Sequence, residues 1–244
     1  MGKIVALGGG EIGRFGKVET TAIDKEIVKL SGKKHPHVLF IPTASHDSEN
    51  YARLFRKQYE KLSCKVDILY LYNKVSKTEI KNKIFSSDIL YVGGGNTLKM
   101  VKLWRKKGVD ALLKKAYKKN IVLSGVSAGA ICWFKYGNSD SRKFKNPKAD
   151  LIKVKGLNLF PLLFCPHYDA EKGRVQSLKN MMKKGGVAIA LDNCCAIEII
   201  ENRYKIIASK KSAHAYKVYW KTGTYHHEIL QKNVFRDIKE LVKK

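Results

Sequence analysis

The chain has 244 residues, of which 44% are hydrophobic and 28% are charged. This balance allows a sizeable buried core and excludes a disordered, collagen-like or low-complexity protein. The formal net charge of +27 comes from 48 basic and 21 acidic residues, and the lysines are spread along the chain. Without a basic stripe, we expect a solvated lysine-rich surface and no nucleic-acid partner.

The sequence also carries indications about compartment and metal content. No apolar stretch reaches the roughly 18 residues that a membrane-spanning helix needs, and the N-terminal apolar run is too short for a signal peptide. The five cysteines include no CxxC pair. We therefore expect a cytoplasmic protein with reduced thiols and no metal.

Short apolar runs alternate with helical patterns in the first two-thirds of the chain. Strands are predicted at residues 3–7, 37–41, 65–71, 88–92 and 121–124, and helices at 21–30, 48–62, 77–85 and 97–118, the last broken at Gly108. This order predicts a mostly parallel sheet covered by helices on both faces.

The last third has a different pattern. A helix is predicted at 168–183, short strands at 188–191, 196–200, 204–208 and 215–220, and an amphipathic helix at 234–242, whereas the polar segment 137–149 is predicted to be a loop. The strands suggest antiparallel hairpins added to one edge of the sheet. No linker divides the chain, so we expect a single α/β domain over residues 1–244.

The first strand is followed by a glycine run, Gly8-Gly9-Gly10-Glu11-Ile12-Gly13, that fits GxGxxG. This motif alone is weak support for dinucleotide binding. The second strand ends in Ile41-Pro42-Thr43-Ala44 and lacks the acidic residue that would bind a ribose. We expect a tight turn here and no cofactor.

A more specific motif, Gly125-Val126-Ser127-Ala128-Gly129, lies between a predicted strand and a predicted helix. It matches the G-x-S-x-G turn that exposes a nucleophilic serine above a sheet. The amide of Ala128, at the start of a helix, is a candidate oxyanion donor. Gly94, in the glycine turn after the fourth strand, is the candidate second donor.

A serine nucleophile needs a base and a group that orients it. His167 follows a short apolar strand, and catalytic groups collect at the ends of parallel strands. Asp140 is the first candidate for the orienting acid because it gives the chain order Ser, Asp, His. The competing carboxylates that the sequence leaves open are Asp169, Glu171, Asp192 and Glu198.

These motifs together resemble the dipeptidase E family of serine peptidases, which is related to the cyanophycinases. The matching segments are YVGGGNT at residues 91–97, GVSAGA at 125–130, Asp140 and CPHY at 165–168. The resemblance covers about residues 3–200 and implies a flavodoxin-like or glutamine-amidotransferase-like α/β fold. It also implies a Ser–His–acid peptidase without metal or cofactor.

Dipeptidase members of that family cleave after an N-terminal aspartate, which an arginine beyond the histidine binds. Arg174 lies seven residues after His167 and is the expected substrate-binding residue. We therefore expect an exopeptidase acting on small acidic peptides, as a monomer or homodimer. The alternatives are a cyanophycinase-like hydrolase of aspartyl–arginine polymer and a non-catalytic protein that binds anions or nucleic acid.

Overall fold

A computed structural model describes residues 2–13, 16–171 and 173–243. Its strands are β1 (Lys3–Leu7), β2 (His37–Ile41), β3 (Lys65–Ile68), β4 (Ile89–Val92), β5 (Val122–Val126), β6 (Phe134–Ser139), β7 (Ile152–Lys155), β8 (Phe160–Cys165), β9 (Val187–Leu191), β10 (Cys195–Ile200), β11 (Arg203–Ala208), β12 (Ala215–Lys221), β13 (Thr224–Ile229) and β14 (Arg236–Asp237). Its α-helices are α1 (Thr21–Leu30), α2 (Glu49–Glu60), α3 (Lys77–Phe85), α4 (Thr97–Lys107), α5 (Val109–Lys118), α6 (Ala128–Ile131), α7 (Arg174–Met182) and α8 (Lys239–Val242). In the part of the chain so described, no helix is both long enough and apolar enough to cross a membrane.

The first sheet has eight strands in the order β14-β11-β10-β1-β5-β4-β2-β3. The neighbours from β1 to β3 are parallel, whereas β10 and β11 continue the sheet antiparallel beyond β1. The predicted α/β fold, a mostly parallel sheet with antiparallel strands from the C-terminal region, is confirmed.

Helices cover both faces of this sheet. On one face, Ile27 of α1 and Phe55 of α2 belong to an apolar cluster with the sheet residues. On the other face, Trp104 of α4 and Leu113 of α5 pack in a second cluster. The helix predicted over 97–118 is interrupted at Gly108, which has a φ of 73° and ends α4 in the left-handed conformation that glycine tolerates.

A second sheet of six strands, in the order β13-β12-β9-β8-β6-β7, was not predicted as a separate sheet. Phe134 of β6 and Ile189 of β9 belong to the same apolar cluster as Ile4 of β1. Leu178 of α7 packs in a separate cluster with Ala188 of β9. The second sheet therefore shares its core with the first, and the catalytic candidates come from both sheets.

The predicted loop 137–149 is wrong at its start, because β6 continues through Ser139. Gly137 lies inside that strand, where a Cβ atom would be only 2.2 Å from Cγ2 of Ile131. The glycine therefore allows close packing instead of marking a turn.

Two predicted helices differ from those observed. The helix expected from residue 168 begins only at Arg174, after turns that follow His167. The helix expected over 234–242 is replaced by β14 and the short α8, since Arg236 and Asp237 pair with β11. In the second case, tertiary strand pairing overrides a local amphipathic pattern.

Candidate active site

Ser127 lies at the turn between β5 and α6. Its φ of 54° and ψ of −111° are uncommon for a residue with a side chain. A Cβ atom on Gly125 would lie 2.5 Å from the carbonyl oxygen of Gly129, and one on Gly129 would lie 2.1 Å from that of Val92. Both glycines therefore permit close backbone approaches, and the strained turn presents the serine hydroxyl above the sheet.

His167 follows β8 and reaches Ser127 across the junction of the two sheets. The distance between its Nε2 and Oγ of Ser127 is 2.9 Å. The His167 amide donates to the carbonyl oxygen of Gly8 at 3.0 Å. A Cβ atom on Gly9 would lie 2.4 Å from Nδ1 of His167, so the first glycine turn makes room for the imidazole.

The other nitrogen of the imidazole ring contacts Asn193. Nδ1 of His167 lies 2.7 Å from Oδ1 of Asn193. Because an amide oxygen can only accept, Nδ1 carries the proton and Nε2 accepts from the Ser127 hydroxyl. The backbone N–H of Asn193 in turn donates to Oδ1 of Asp169 at 2.8 Å, which holds the residue in place.

Sequence reasoning missed Asn193 because it considered only carboxylates as partners of the histidine. Asn193 lies two residues after the end of β9, which is parallel to β8. His167 lies two residues after the end of β8. Polar residues just beyond neighbouring parallel strands meet at one edge of the sheet, and this placement could have identified Asn193 as a partner of His167.

Asp140 does not take the role predicted for it from the sequence. It lines the same cavity as Ser127 and His167, but the partner of Nδ1 is Asn193. The physical reason is that Asn193 follows β9, the parallel neighbour of the strand that leads to His167, and this pairing brings its Oδ1 to Nδ1 of the imidazole. The charge of Asp140 still acts on His167 and raises the pKa of its imidazole.

The four competing carboxylates are each bound to another group. Their partners are the Asn193 amide for Asp169, Lys143 and Arg174 for Glu171, the His214 amide for Asp192, and Lys205 for Glu198. None of them is the partner of the His167 ring. Asp169 is nevertheless connected to the site through Asn193.

Burial lowers the pKa of His167 below its usual value. The hydrogen bond with Asn193 and the charges of Asp140 and Asp169 raise it, whereas the positive charge of Arg174 lowers it further. The net direction is downward. The imidazole is therefore neutral at neutral pH and able to accept a proton.

The two predicted oxyanion donors flank Ser127. Ala128 is the first residue of α6, so its amide has no carbonyl partner within the helix. A Cβ atom on Gly94 would lie 3.5 Å from Cβ of Ser127, which places this glycine beside the nucleophile. The Gly94 amide donates to the hydroxyl of Tyr51 at 3.4 Å, a long hydrogen bond that a stronger acceptor can replace.

Arg174 does not line the cavity and is not placed to bind substrate. Its side chain is 1% exposed, donates through Nη1 to the carbonyl oxygen of Asn138 at 2.7 Å and pairs with Glu171. The guanidinium of Arg174 therefore connects β6 to the start of α7. These contacts bury the guanidinium, so the structure gives Arg174 a contact within the protein in place of the substrate contact expected from the sequence.

The cavity in front of Ser127 has a volume of about 810 Å3. Within the described part of the chain, its lining includes the carboxylates of Glu11, Glu19 and Asp140, the ammonium of Lys99 and the imidazoles of His46 and His167. Among the described residues, no group of three or more histidine, cysteine or acidic side chains is arranged to hold a metal ion. The cavity therefore offers a hydroxyl, an imidazole and both signs of charge to a ligand.

Sequence comparisons relate the chain to known peptidases. The family model of peptidase family S51 matches residues 4–207. The chain is 34% identical over 221 residues to the uncharacterized peptidase YgaJ of Bacillus subtilis strain 168, covering 89% of this chain and 92% of the relative. It is 32% identical over 146 residues to the uncharacterized peptidase Lmo0363 of Listeria monocytogenes, covering 57% and 68% of the two chains.

Solved structures share the fold. A peptidase from an acI-B1 actinobacterium superposes with a TM-score of 0.70 at 16% identity, covering 97% of both chains. A peptidase E protein from Listeria monocytogenes EGD-e superposes with a TM-score of 0.65 at 21% identity, covering 85% of this chain and 98% of that one. The family match over most of the chain and the 34% identical relative lead to one conclusion: the chain belongs to peptidase family S51, the dipeptidase E family.

Proposed function

We propose that the protein is an exopeptidase that hydrolyses small peptides, with Ser127 as nucleophile and His167 as general base. The observation that carries this proposal is the 2.9 Å contact between Nε2 of His167 and Oγ of Ser127 at a strained G-x-S-x-G turn. A nucleophile within hydrogen-bond reach of a base that a third group orients is the arrangement needed for acyl transfer.

In the first step, His167 takes the hydroxyl proton at Nε2 while Oγ of Ser127 attacks the peptide carbonyl. The amides of Gly94 and Ala128 donate to the resulting oxyanion, and the Gly94 amide exchanges the Tyr51 hydroxyl for this stronger acceptor. His167 then gives its proton to the leaving amine as the carbon–nitrogen bond breaks. Water then attacks the acyl-enzyme while His167 takes a proton from it at Nε2, and His167 returns this proton to Oγ of Ser127 as the bond to the acyl group breaks.

Asn193 keeps the histidine in the tautomer that this sequence requires. Its Oδ1 accepts from Nδ1 throughout, so only Nε2 exchanges a proton. An amide contributes no full negative charge to the imidazolium that forms. The charges near the ring come from Asp140 and Asp169, which raise the pKa of His167 without bonding to its nitrogen atoms.

We retain an N-terminal aspartate as the proposed first residue of the substrate, with Lys99 in the role first assigned to Arg174. Lys99 lies in the first turn of α4 and lines the cavity. Its ammonium has no ion-pair or hydrogen-bond partner in the described part of the chain and is available to a substrate carboxylate. Lys99→Gln should lower kcat/KM for Asp-Leu more than for Leu-Leu, whereas equal effects would refute this role.

A fluorophosphonate probe tests the nucleophile. Wild-type protein should be labelled at Ser127, and Ser127→Ala should abolish both labelling and peptide hydrolysis. His167→Ala should reduce peptide hydrolysis by a similar factor. The double variant should be hardly slower than either single variant, because the effects of substitutions within one catalytic unit are not additive. Additive losses would mean that the two residues act separately.

The same experiments separate the alternatives. Absence of labelling, together with salt-sensitive binding of DNA, would favour the non-catalytic protein. Release of aspartyl–arginine dipeptides from the polymer would favour the cyanophycinase-like activity. The expected cytoplasmic location, the monomeric or homodimeric state and the lack of a nucleic-acid partner stay predictions.

A further inference from the structure

Asp140 differs from the other carboxylates that were considered for the active site. Asp169, Glu171, Asp192 and Glu198 are each engaged by a backbone amide or a cationic side chain. The carboxylate of Asp140 has no hydrogen bond or ion pair within residues 2–13, 16–171 and 173–243. It nevertheless lines the cavity that contains Ser127.

The backbone around Asp140 is held firmly on both sides. Ser139 forms a 3.3 Å hydrogen bond through Oγ to Oγ1 of Thr97. Asn96 donates through Nδ2 to the carbonyl oxygen of Ser141 at 2.9 Å, and the Leu98 amide donates to Oγ of Ser141 at 3.0 Å. These contacts with the start of α4 fix Asp140 at the cavity wall, so little conformational entropy remains to be lost on binding.

A negative group at this position stands out in a protein with a net charge of +27. Glu19, another carboxylate of the cavity, is already bonded to Lys210 and to the Glu11 amide. The Asp140 carboxylate has no hydrogen bond or ion pair of this kind among the described residues, and its charge acts on His167 and on the buried Arg174 and raises the pKa of each. The cavity thus has an uncommitted carboxylate near its reacting centre.

We propose that the Asp140 carboxylate binds the free α-ammonium group of the substrate and thereby makes the enzyme an exopeptidase. In a peptide cleaved after its first residue, the α-nitrogen lies about 2.5 Å from the scissile carbonyl carbon. A carboxylate in the wall of the cavity that contains Ser127 therefore meets the ammonium while the carbonyl faces Oγ. This inference rests on the proposed function of Ser127 and His167, and it gives Asp140 a substrate-binding role in place of the orienting role expected from the sequence.

The chemistry of the two groups fits this assignment. An α-amino group has a pKa of about 8, so at neutral pH the peptide carries a positive charge. A charge-assisted hydrogen bond to a carboxylate is stronger than one between neutral groups. An N-acetylated peptide has neither the charge nor the ammonium donors, so it leaves Asp140 desolvated and unpaired.

The test compares Asp-Leu with N-acetyl-Asp-Leu, both as substrates and as ligands that protect Ser127 from the fluorophosphonate probe. Wild-type protein should favour the free peptide in both assays. Asp140→Asn should weaken the binding of the free peptide, and lower its kcat/KM, by about 10- to 150-fold, the range of one hydrogen bond to a charged group. The preference over the acetylated peptide should then largely disappear.

Two further variants distinguish recognition of the ammonium group from a loss of peptide binding that does not depend on that group. Asp140→Glu keeps the charge and should restore part of the preference. Lys99→Gln removes the opposite charge from the same cavity and should keep the ratio of free to acetylated peptide.

The proposal is overturned if wild-type protein binds both peptides equally, or if Asp140→Asn keeps the wild-type ratio. It is also overturned if Asp140→Asn lowers the affinity for both peptides by the same factor, since that result indicates a structural role. Each of these outcomes leaves the labelling of wild-type Ser127 intact. A failure of the proposed function would instead appear as no labelling of the wild-type protein.

Discussion

Replacing Asn193 tests whether a neutral amide is enough to orient the catalytic histidine. Asn193→Ala removes the 2.7 Å hydrogen bond to Nδ1 of His167, which joins two neutral groups in the resting enzyme. Such a bond contributes about 0.5–1.5 kcal/mol, so kcat/KM should fall by about 2- to 13-fold. Loss of a charged orienting group costs far more, about 10⁴-fold in a serine protease triad.

Asn193→Asp adds a negative charge at the same atom. A carboxylate next to a histidine raises the pKa of the imidazole by about 1–3 units. Asp169 bonds to the Asn193 amide at 2.8 Å and is a like charge that opposes ionisation of the new side chain. We therefore expect the pKa of His167 to rise, but by less than an unopposed carboxylate would raise it.

The assay is kcat/KM for a dipeptide as a function of pH, with the rate of fluorophosphonate labelling as a second measurement. In the wild type the acidic limb should lie below the usual histidine pKa of about 6.5, because burial lowers the pKa of His167. Asn193→Asp should move this limb to higher pH. Asn73→Asp adds the same charge on an exposed loop and should leave it in place. An unmoved limb in Asn193→Asp, or a 10⁴-fold loss in Asn193→Ala, would refute the reasoning.

Three more predictions concern the surroundings of the site. Arg174→Met should lower the free energy of unfolding by about 3 kcal/mol, since it breaks a buried ion pair but leaves Glu171 paired with Lys143. Chemical denaturation measures this free energy. An unchanged stability together with a changed substrate preference would contradict the prediction. Gly9→Ala should reduce kcat/KM by about 100-fold, because a Cβ atom would lie 1.9 Å from Oδ1 of Asn193. Steady-state kinetics measure this effect, and wild-type kinetics would mean that the turn moves to accommodate the methyl group. Burial raises the pKa of Asp24 to about 7, so the native state holds this proton more tightly than the unfolded state and stability falls as pH rises from about 4 to about 7. Asp24→Asn should flatten that dependence, because the amide does not ionise, and a denaturation series that keeps the wild-type slope would argue against it.

The sequence determined the local elements of the first sheet and the position of the nucleophile. The helices at 21–30 and 77–85 and the strands at 3–7 and 37–41 match those observed, because their side-chain periodicity reflects burial on both sides of a parallel strand or on one side of a helix. The predicted Ser127 turn lies where the sequence put it, since its flanking glycines are needed for local backbone geometry. The position of His167 just after a strand also follows from a local pattern, the short apolar run that precedes it.

Tertiary structure decided which side chains meet there. The partner of His167 depends on β8 and β9 lying side by side, a pairing between residues more than 20 positions apart that no local pattern encodes, and this pairing selects Asn193 over Asp140. The contacts of Arg174 likewise depend on tertiary structure, because its guanidinium meets the carbonyl oxygen of Asn138, which lies 36 positions earlier in the chain. Local propensity fixes where a strand or helix forms, but the direction in which a polar side chain points is set by the neighbouring elements that satisfy its hydrogen bonds and charge.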